Sequence, residues 1–587
     1  MVEWKLDDVF KNENDCEKEL DLIKSKMVNI SNFEGKLNNL KCIEEYFIFN
    51  EELLKRAYKV ASYASMNYDQ NQKDLKFQAL KSKVSMLWQQ YSVLASFVDN
   101  ELLANPYEDY VDYAKESKII NEYLFEIKKL FDSKEHVLST KEEKIISNYS
   151  LVTGGYASLY AMLQNSDFKP IKVVLSDNKE VMVSPNTYTS ILSGLENQDD
   201  RRKVFEAQFG YYDQHKNTLA TIYKGVVDSN LAKMRNRGYD SFLDVFLDNN
   251  KIPKDVYLSL INTVRENTAP LKRYINLRKK YFNLKEYHTY DRFLQIAKTE
   301  SKFSYDEAKK AVLEALKPMG DDFVEHGKKA LAEGHVDVYP REGKRSGAYS
   351  TNIKDFGPYI LLNHADTLDS AFTLAHECGH SIHTLYSSES QPFATENYTI
   401  FVAEIPSTFN EQLFLDYLLK NSDDKELKIQ ALEQQIDGII STFYRQTLFA
   451  DYEYQAHKLA FEGGSINYDS LSKIMNDLYS TYYGIDLNTE ELKKLVWAYI
   501  PHLFYTPFYV YQYATCFSAS MKMYQNFINK EAKALENYIE MLKAGGSNYP
   551  VDIVKMGGVD LTDANTFKAV CEKLEKLLDE LESMLNL

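Results

Sequence analysis

The sequence predicts a mainly α-helical protein with one small β-sheet near the middle of the chain. Three observations carry that reading. Glycine and proline number only 22 and 13 in 587 residues, too few breakers for an architecture of many short strands. From Cys42 to Phe97 apolar residues recur at three- and four-residue intervals between Lys, Glu and Gln, the period of an amphipathic helix. Only two segments interrupt that rhythm.

Residues 1 to about 150 read as successive amphipathic helices. The first interruption, PIKVVLSDNKEVMVS at 170–184, has two β-branched runs flanking the polar turn Ser-Asp-Asn-Lys, the pattern of a small hairpin. Helical patterning then resumes from about Thr187 through Gly327. The second interruption, at about 334–364, gathers most of the local Gly and Pro and contains a strand-like run, Pro358 to Asn363. From Asp366 helices return to the C-terminus, punctuated by Gly545-Gly546 and Gly557-Gly558.

Composition narrows the function. The balance of 69 basic and 86 acidic residues is −17, and a surface that acidic repels phosphate backbones, so nucleic acid is not an expected partner. Cys16, Cys42, Cys378, Cys516 and Cys571 are odd in number and scattered, which suggests reduced thiols. No run of about 18 apolar residues appears, and the first twenty residues are charged throughout. The expectation is a soluble cytoplasmic protein with no membrane association and no obligate protein partner.

The chemistry concentrates in Ala371–His383, AFTLAHECGHSIH, which holds His376-Glu377-x-x-His380 among helix-forming neighbours, with Asp366 as a possible N-cap. Two histidines and an acid in this spacing should arise by chance about 0.03 times in such a chain. On a helix, positions 376 and 380 differ by about 40° and rise about 6 Å, so two imidazoles can converge on one cation. Glu377 flanks that face, where a carboxylate reaches a metal-activated water instead of the metal. A hydrolytic zinc site usually needs a third protein ligand. Glu389, Glu396, Glu404 and Glu411 lie downstream. Glu404 sits in the apolar segment Ile400–Glu411, where a carboxylate needs a cation to offset its desolvation. Glu389 and Glu396 read as loop residues facing water. Glu411 is either a group that orients a ligand histidine or a surface acid. His383 shares the histidine face but lies about 10 Å along the axis from His376, which points to a site-lining or hydrogen-bonding role. Cys378 points about 200° away from His376 and reads as a small buried filler.

HECGHSIH followed by FVAEIPSTFNE resembles the thimet-type zinc metallopeptidases, and the details resemble their oligoendopeptidase F branch. GKRSGAYS (343–350), PYILLNH (358–364), PHLFYTPFYVYQYA (501–514), AGGSNYP (544–550) and the opening EWKLDDVF match as well, so the resemblance runs nearly the whole length. It implies an N-terminal helical region over 1–110, an oligoendopeptidase-type N-terminal domain with the hairpin over 111–190, and a catalytic domain over 191–587. It implies one zinc ion on His376, His380 and Glu404, with Glu377 as general base. The implied fold is a helical ellipsoid with a deep central channel, in which PYILLNH forms the sheet edge where an extended peptide adds as a strand. In this family a His and one or more Tyr near position 502 donate to the oxyanion. Family spacing would put that Tyr five residues after His502, and position 507 is Pro. Tyr505, Tyr509 and Tyr511 are therefore the candidates. Tyr509 comes first, because Pro507 reads as a helix start that would fix its position.

The resulting expectation is a zinc endopeptidase acting on internal bonds of short unfolded oligopeptides. A zinc carboxypeptidase or dipeptidyl carboxypeptidase on a related helical scaffold is the alternative, and would need a cationic anchor for the substrate's C-terminal carboxylate. A helical scaffold protein with a vestigial motif should contain no stoichiometric zinc.

Overall fold

The computed structural model describes residues 3–298 and 301–587. It is mainly α-helical with two small sheets. The hairpin forms as the sequence predicts: β1 (Ile171–Val174) pairs antiparallel with β2 (Glu180–Val183), and Asn178 in the turn has φ 63°. It is a sheet of its own, separate from the small mid-chain sheet. The second is three-stranded, built from β3 (Val336–Asp337), β4 (Tyr349–Ile353) and β5 (Gly357–Leu361) in the order β3-β5-β4.

The chain divides into two compact units, each assembled from three stretches. The first comprises Met1–Glu135, Glu300–Asn421 and Met523–Val559. Its N-terminal helices Glu13–Met27, Leu40–Gln70, Leu75–Leu94 and Lys118–Asp132 each begin at a side chain that accepts from the first turn: Asn12, Asn39, Asp74 and Ser117. Their apolar faces enclose a core that takes in Ile353, Tyr359 and Leu361 of the three-stranded sheet. Trp4 locks the opening segment onto that sheet, donating its indole N–H to the Ile360 carbonyl at 2.8 Å.

The second unit comprises His136–Thr299, Ser422–Lys522 and Asp560–Leu587. Long helices, among them Gln198–Gln214, Lys216–Asn236, Arg445–Phe461 and Ala564–Leu585, form it together with the hairpin. A π-helical turn, Ile440–Tyr444, joins Lys425–Ile439 to Arg445–Phe461. Arg201 is fully buried with Asp291, its Nη2 2.7 Å from the carboxylate. Such a pair holds only because both charges are satisfied: Arg201 also donates to the carbonyls of Leu195 and Glu196.

Candidate metal centre

The motif helix runs Leu368–Ser390. Its N-cap is Thr367, whose hydroxyl accepts from Ser370 N–H at 3.2 Å. Asp366 was the expected cap. It instead adopts the left-handed conformation, φ 55°, and the extended backbone of Thr367 is what aims a hydroxyl at the first turn. Leu368, Ala371, Leu374, Ala375, Cys378 and Ile382 are buried, so packing on several sides holds the helix.

The second helix, Ile400–Asn421, supplies Glu404 and Glu411. The ligand-type atoms of His376, His380 and Glu404 all lie within 4.8 Å of one another. Glu404 Oε2 is 3.2 Å from His376 Nε2 and 3.6 Å from His380 Nε2. Behind them, Glu411 Oε1 lies 2.6 Å from His376 Nδ1, so Glu411 is a partner of the histidine and not a solvated acid. Ser407 Oγ donates to Glu404 Oε2 at 3.0 Å and turns that carboxylate toward the histidines.

The two helices meet along Gly379. A Cβ at that position would lie 2.5 Å from the Pro406 carbonyl oxygen and 2.7 Å from Ser407 Cα, so backbone touches backbone. Sequence reasoning did not single out Gly379, although its place between the two histidines is a visible signal.

Electrostatics at the cluster favour positive charge. Burial opposes protonation of His376, yet the carboxylates of Glu404 and Glu411 hold it well above the ordinary histidine range. Burial likewise works against the Glu404 carboxylate, but the hydrogen bond from His376 and the neighbouring imidazoles hold it down at about 2. His380 is pushed down to about 4 by burial and by the charge on His376. Glu377 is 5% exposed and its Oε2 has no hydrogen-bond partner. Burial pushes it up to about 7, with the charge on His376 opposing. A buried carboxyl group with one oxygen left without a partner is unusual, since structural carboxylates are normally hydrogen-bonded, and it marks Glu377 as a candidate functional group.

The neighbours differ from expectation in several places. His383 is buried, with both ring nitrogens lacking partners among the described residues. It stacks on Tyr398 at 3.6 Å between centroids, so it packs and does not hydrogen-bond. Glu396 does not face water. It is buried and paired with Lys354, in the turn between β4 and β5. Glu389 is the part-exposed partner of Lys329 and His326. Cys378 is buried, as expected of a filler. Pro358–Asn363 is not at the sheet edge: β5 is central, hydrogen-bonded to β3 on one side and β4 on the other. The antiparallel edge is β4, where Ser350 Oγ meets Ser381 Oγ of the motif helix at 2.9 Å.

His502 and the phenols belong to the second unit. Pro507 does not start a helix. His502–Tyr505 forms one turn, and the next helix begins at Tyr511. Between them Phe508 takes φ 57°, its N–H bonded to the buried Glu453 carboxylate at 2.7 Å. A non-glycine residue in that region is strained and persists only where its surroundings impose it. The result is a ring cluster around His502. Tyr509 stacks at 6.1 Å, and the Tyr513 hydroxyl lies 3.4 Å from Nε2. Tyr505 is exposed and packs edge-on to Tyr160, while Tyr511 is 3% exposed against Tyr257. Tyr513 is a residue the sequence reading missed; its separation from His502 places it on the following helix.

Comparison with known proteins agrees with this picture. The model of peptidase family M3 matches residues 191–572, and that of oligopeptidase F matches 101–169. The chain is 34% identical to oligopeptidase PepF of Bacillus subtilis, across 99% of this chain and 87% of that protein. It is 33% identical to the group B oligopeptidase PepB of Streptococcus agalactiae, across 99% and 97%. Among solved structures, a Chlamydophila abortus protein superposes with a TM-score of 0.91 at 30% identity, covering 99% of this chain and 98% of that one. Oligoendopeptidase-F from Enterococcus faecium gives 0.74 at 28%, covering 97% and 98%.

Proposed function

The chain belongs to peptidase family M3 and is a metalloendopeptidase of the oligopeptidase kind, and on that premise we propose that it is a zinc-dependent oligoendopeptidase with zinc on His376, His380 and Glu404. The observation that carries the reading is the convergence of these three donors within 4.8 Å. Two imidazole nitrogens and a carboxylate oxygen are the N and O donors that hydrolytic zinc takes with one position left over. The Glu411 contact to the far nitrogen of His376 is the support such a ligand normally has. Zinc held there supplies a Lewis acid that polarises the scissile carbonyl and acidifies the attacking water.

The remaining steps fall to the chain's own groups. Glu377 takes the proton of the attacking water on its carboxylate and delivers it to the leaving nitrogen. Glu411 holds the His376 ring in one tautomer and orientation. The substrate backbone adds along β4, the edge strand whose Ser350 touches Ser381 of the motif helix, through its main-chain groups. His502 with Tyr509 or Tyr513 donates to the oxyanion; Tyr505 and Tyr511, the other candidates, pack against Tyr160 and Tyr257. The substrates are short unfolded oligopeptides cut internally. The test is digestion of a mixed peptide library with and without a chelator, read by mass spectrometry, together with metal analysis of the purified chain. Internal cleavage that disappears with the chelator, and one zinc per chain, are the expected results. Release of residues only from free C-termini, lost on C-terminal amidation, would shift the reading to a carboxypeptidase.

A further inference from the structure

The second unit encloses a cavity of about 480 Å³, within the range of about 300–1,000 Å³ typical of small-molecule sites. Arg292, on the 3₁₀ turn Thr289–Phe293, and Lys493, on the 3₁₀ turn Glu491–Leu495, line it. Arg445, the first residue of its helix, acts electrostatically on both. Lys493 is only 7% exposed. Among the described residues, none of these three side chains forms an ion pair or a hydrogen bond. Their partners are aromatic faces: Lys493 Nζ is 4.8 Å from the Phe209 ring centroid, Arg445 5.2 Å from Phe449 and Arg292 4.7 Å from Phe293.

The nearby acids are committed elsewhere. Glu490 accepts from the Thr289 amide and hydroxyl and contacts His288. Asp437, on the cavity wall, accepts from Tyr274. Glu433 accepts from two backbone amides and pairs with Arg278 at 3.4 Å. The Arg278 end of the cavity is thus neutralised and the Lys493 end is not. Burial, with the charges of Arg445 and Arg292, holds the Lys493 ammonium well below the ordinary lysine range, Glu490 opposing. Like charges in a low-dielectric pocket repel and are poorly hydrated, so this arrangement costs stability unless an anion neutralises it. Ile440 and Ser441 of the π-helical turn also line the wall, and such turns recur at functional positions.

We propose that this cavity binds a small phosphorylated molecule, its phosphate held by Arg292 and Lys493 on the wall, with the charge of Arg445 behind them, and its body against Tyr479 and Tyr483. Two wall side chains without an acidic partner, in the field of a third cation, match a phosphate dianion better than a single carboxylate, and the space exceeds what a phosphate group alone fills. None of this rests on the metal centre, so the test reads binding and not peptide turnover. Titrate the full chain with inorganic phosphate, phenyl phosphate, glutarate and chloride at matched ionic strength, by calorimetry and thermal unfolding. One site per chain is expected, with phenyl phosphate binding more tightly than phosphate and glutarate more weakly. Lys493→Met should bind phenyl phosphate at least about tenfold more weakly, yet unfold at the same or a higher temperature without anion, since a repelling charge has gone. Should that variant not fold, Arg292→Gln provides the same comparison. A phosphate response no larger than that of chloride, tighter binding of glutarate, no gain from the phenyl group, or variants that bind like the wild type would overturn the proposal.

Discussion

A Cβ on Gly379 would sit 2.5 Å from the carbonyl oxygen of Pro406, and that close approach is what lets Glu404 reach the two histidines from a separate helix. Pro406 contributes too, since it lacks the N–H that would bond to the Val402 carbonyl and marks the point where the second helix runs against the first. Gly379→Ala should push the helices apart at a cost of about 1–3 kcal/mol. The expected outcome is a folded helical protein with sharply lower zinc content, measured by metal analysis beside circular dichroism. Unchanged zinc stoichiometry would mean the helices can slide without disturbing the donors.

Removal of Glu411 separates orientation from ligation. Glu411→Ala leaves three donors in place but frees His376 Nδ1, so zinc affinity should fall by roughly 10–100-fold. His376→Ala, His380→Ala and Glu404→Ala should each lose most of the metal. Competition with a chromogenic chelator ranks the four variants, and equal losses in all four would make Glu411 a ligand.

Glu377 should be needed for chemistry and not for the metal. Glu377→Gln should retain zinc and bind peptide while kcat falls by orders of magnitude. Turnover close to wild type in a zinc-replete variant would remove Glu377 from the mechanism.

The His502 cluster predicts which phenol matters. A donor used only on the oxyanion raises kcat without changing peptide affinity, and its loss costs roughly 10²–10³-fold in rate. Tyr509→Phe or Tyr513→Phe should show that loss with KM nearly unchanged, whereas Tyr505→Phe and Tyr511→Phe should turn over like the wild type. A large kcat loss in Tyr511→Phe alone would reverse the assignment.

Glu453 gives a pH signature. It is 1% exposed, and burial pushes its carboxyl up to about 8 despite the hydrogen bond from Phe508. Unfolded, it ionises at about 4.3. Between those values the native state keeps a proton that the unfolded chain has released, so this group's contribution is full at low pH and is lost as pH rises toward 8. Glu453→Gln keeps an acceptor for the Phe508 amide and cannot ionise. Its stability relative to wild type should improve by more than about 1 kcal/mol between pH 5 and pH 8, measured by denaturant unfolding. A difference independent of pH would place the carboxyl in a more polar setting than its burial indicates.

By itself the sequence determined what depends on neighbours along the chain. Helical periodicity marked the helices, β-branched runs around a polar turn marked β1 and β2, and the four-residue spacing of His376 and His380 put both on one face. Glu404 stood out from Glu389, Glu396 and Glu411 because an apolar context makes an unpaired carboxylate costly. Only the tertiary structure decided the rest. Glu411 reaches His376, Glu396 goes inside to meet Lys354, β4 rather than Pro358–Asn363 forms the edge, and Tyr513 instead of Tyr511 joins His502. Each of these turns on how elements distant in sequence pack, and a rotation of one helix or the order of three strands changes the partner without altering any local pattern. The approach at Gly379 is of the same kind: the missing Cβ is written in the chain, but the backbone that occupies its place arrives from Pro406 on another helix.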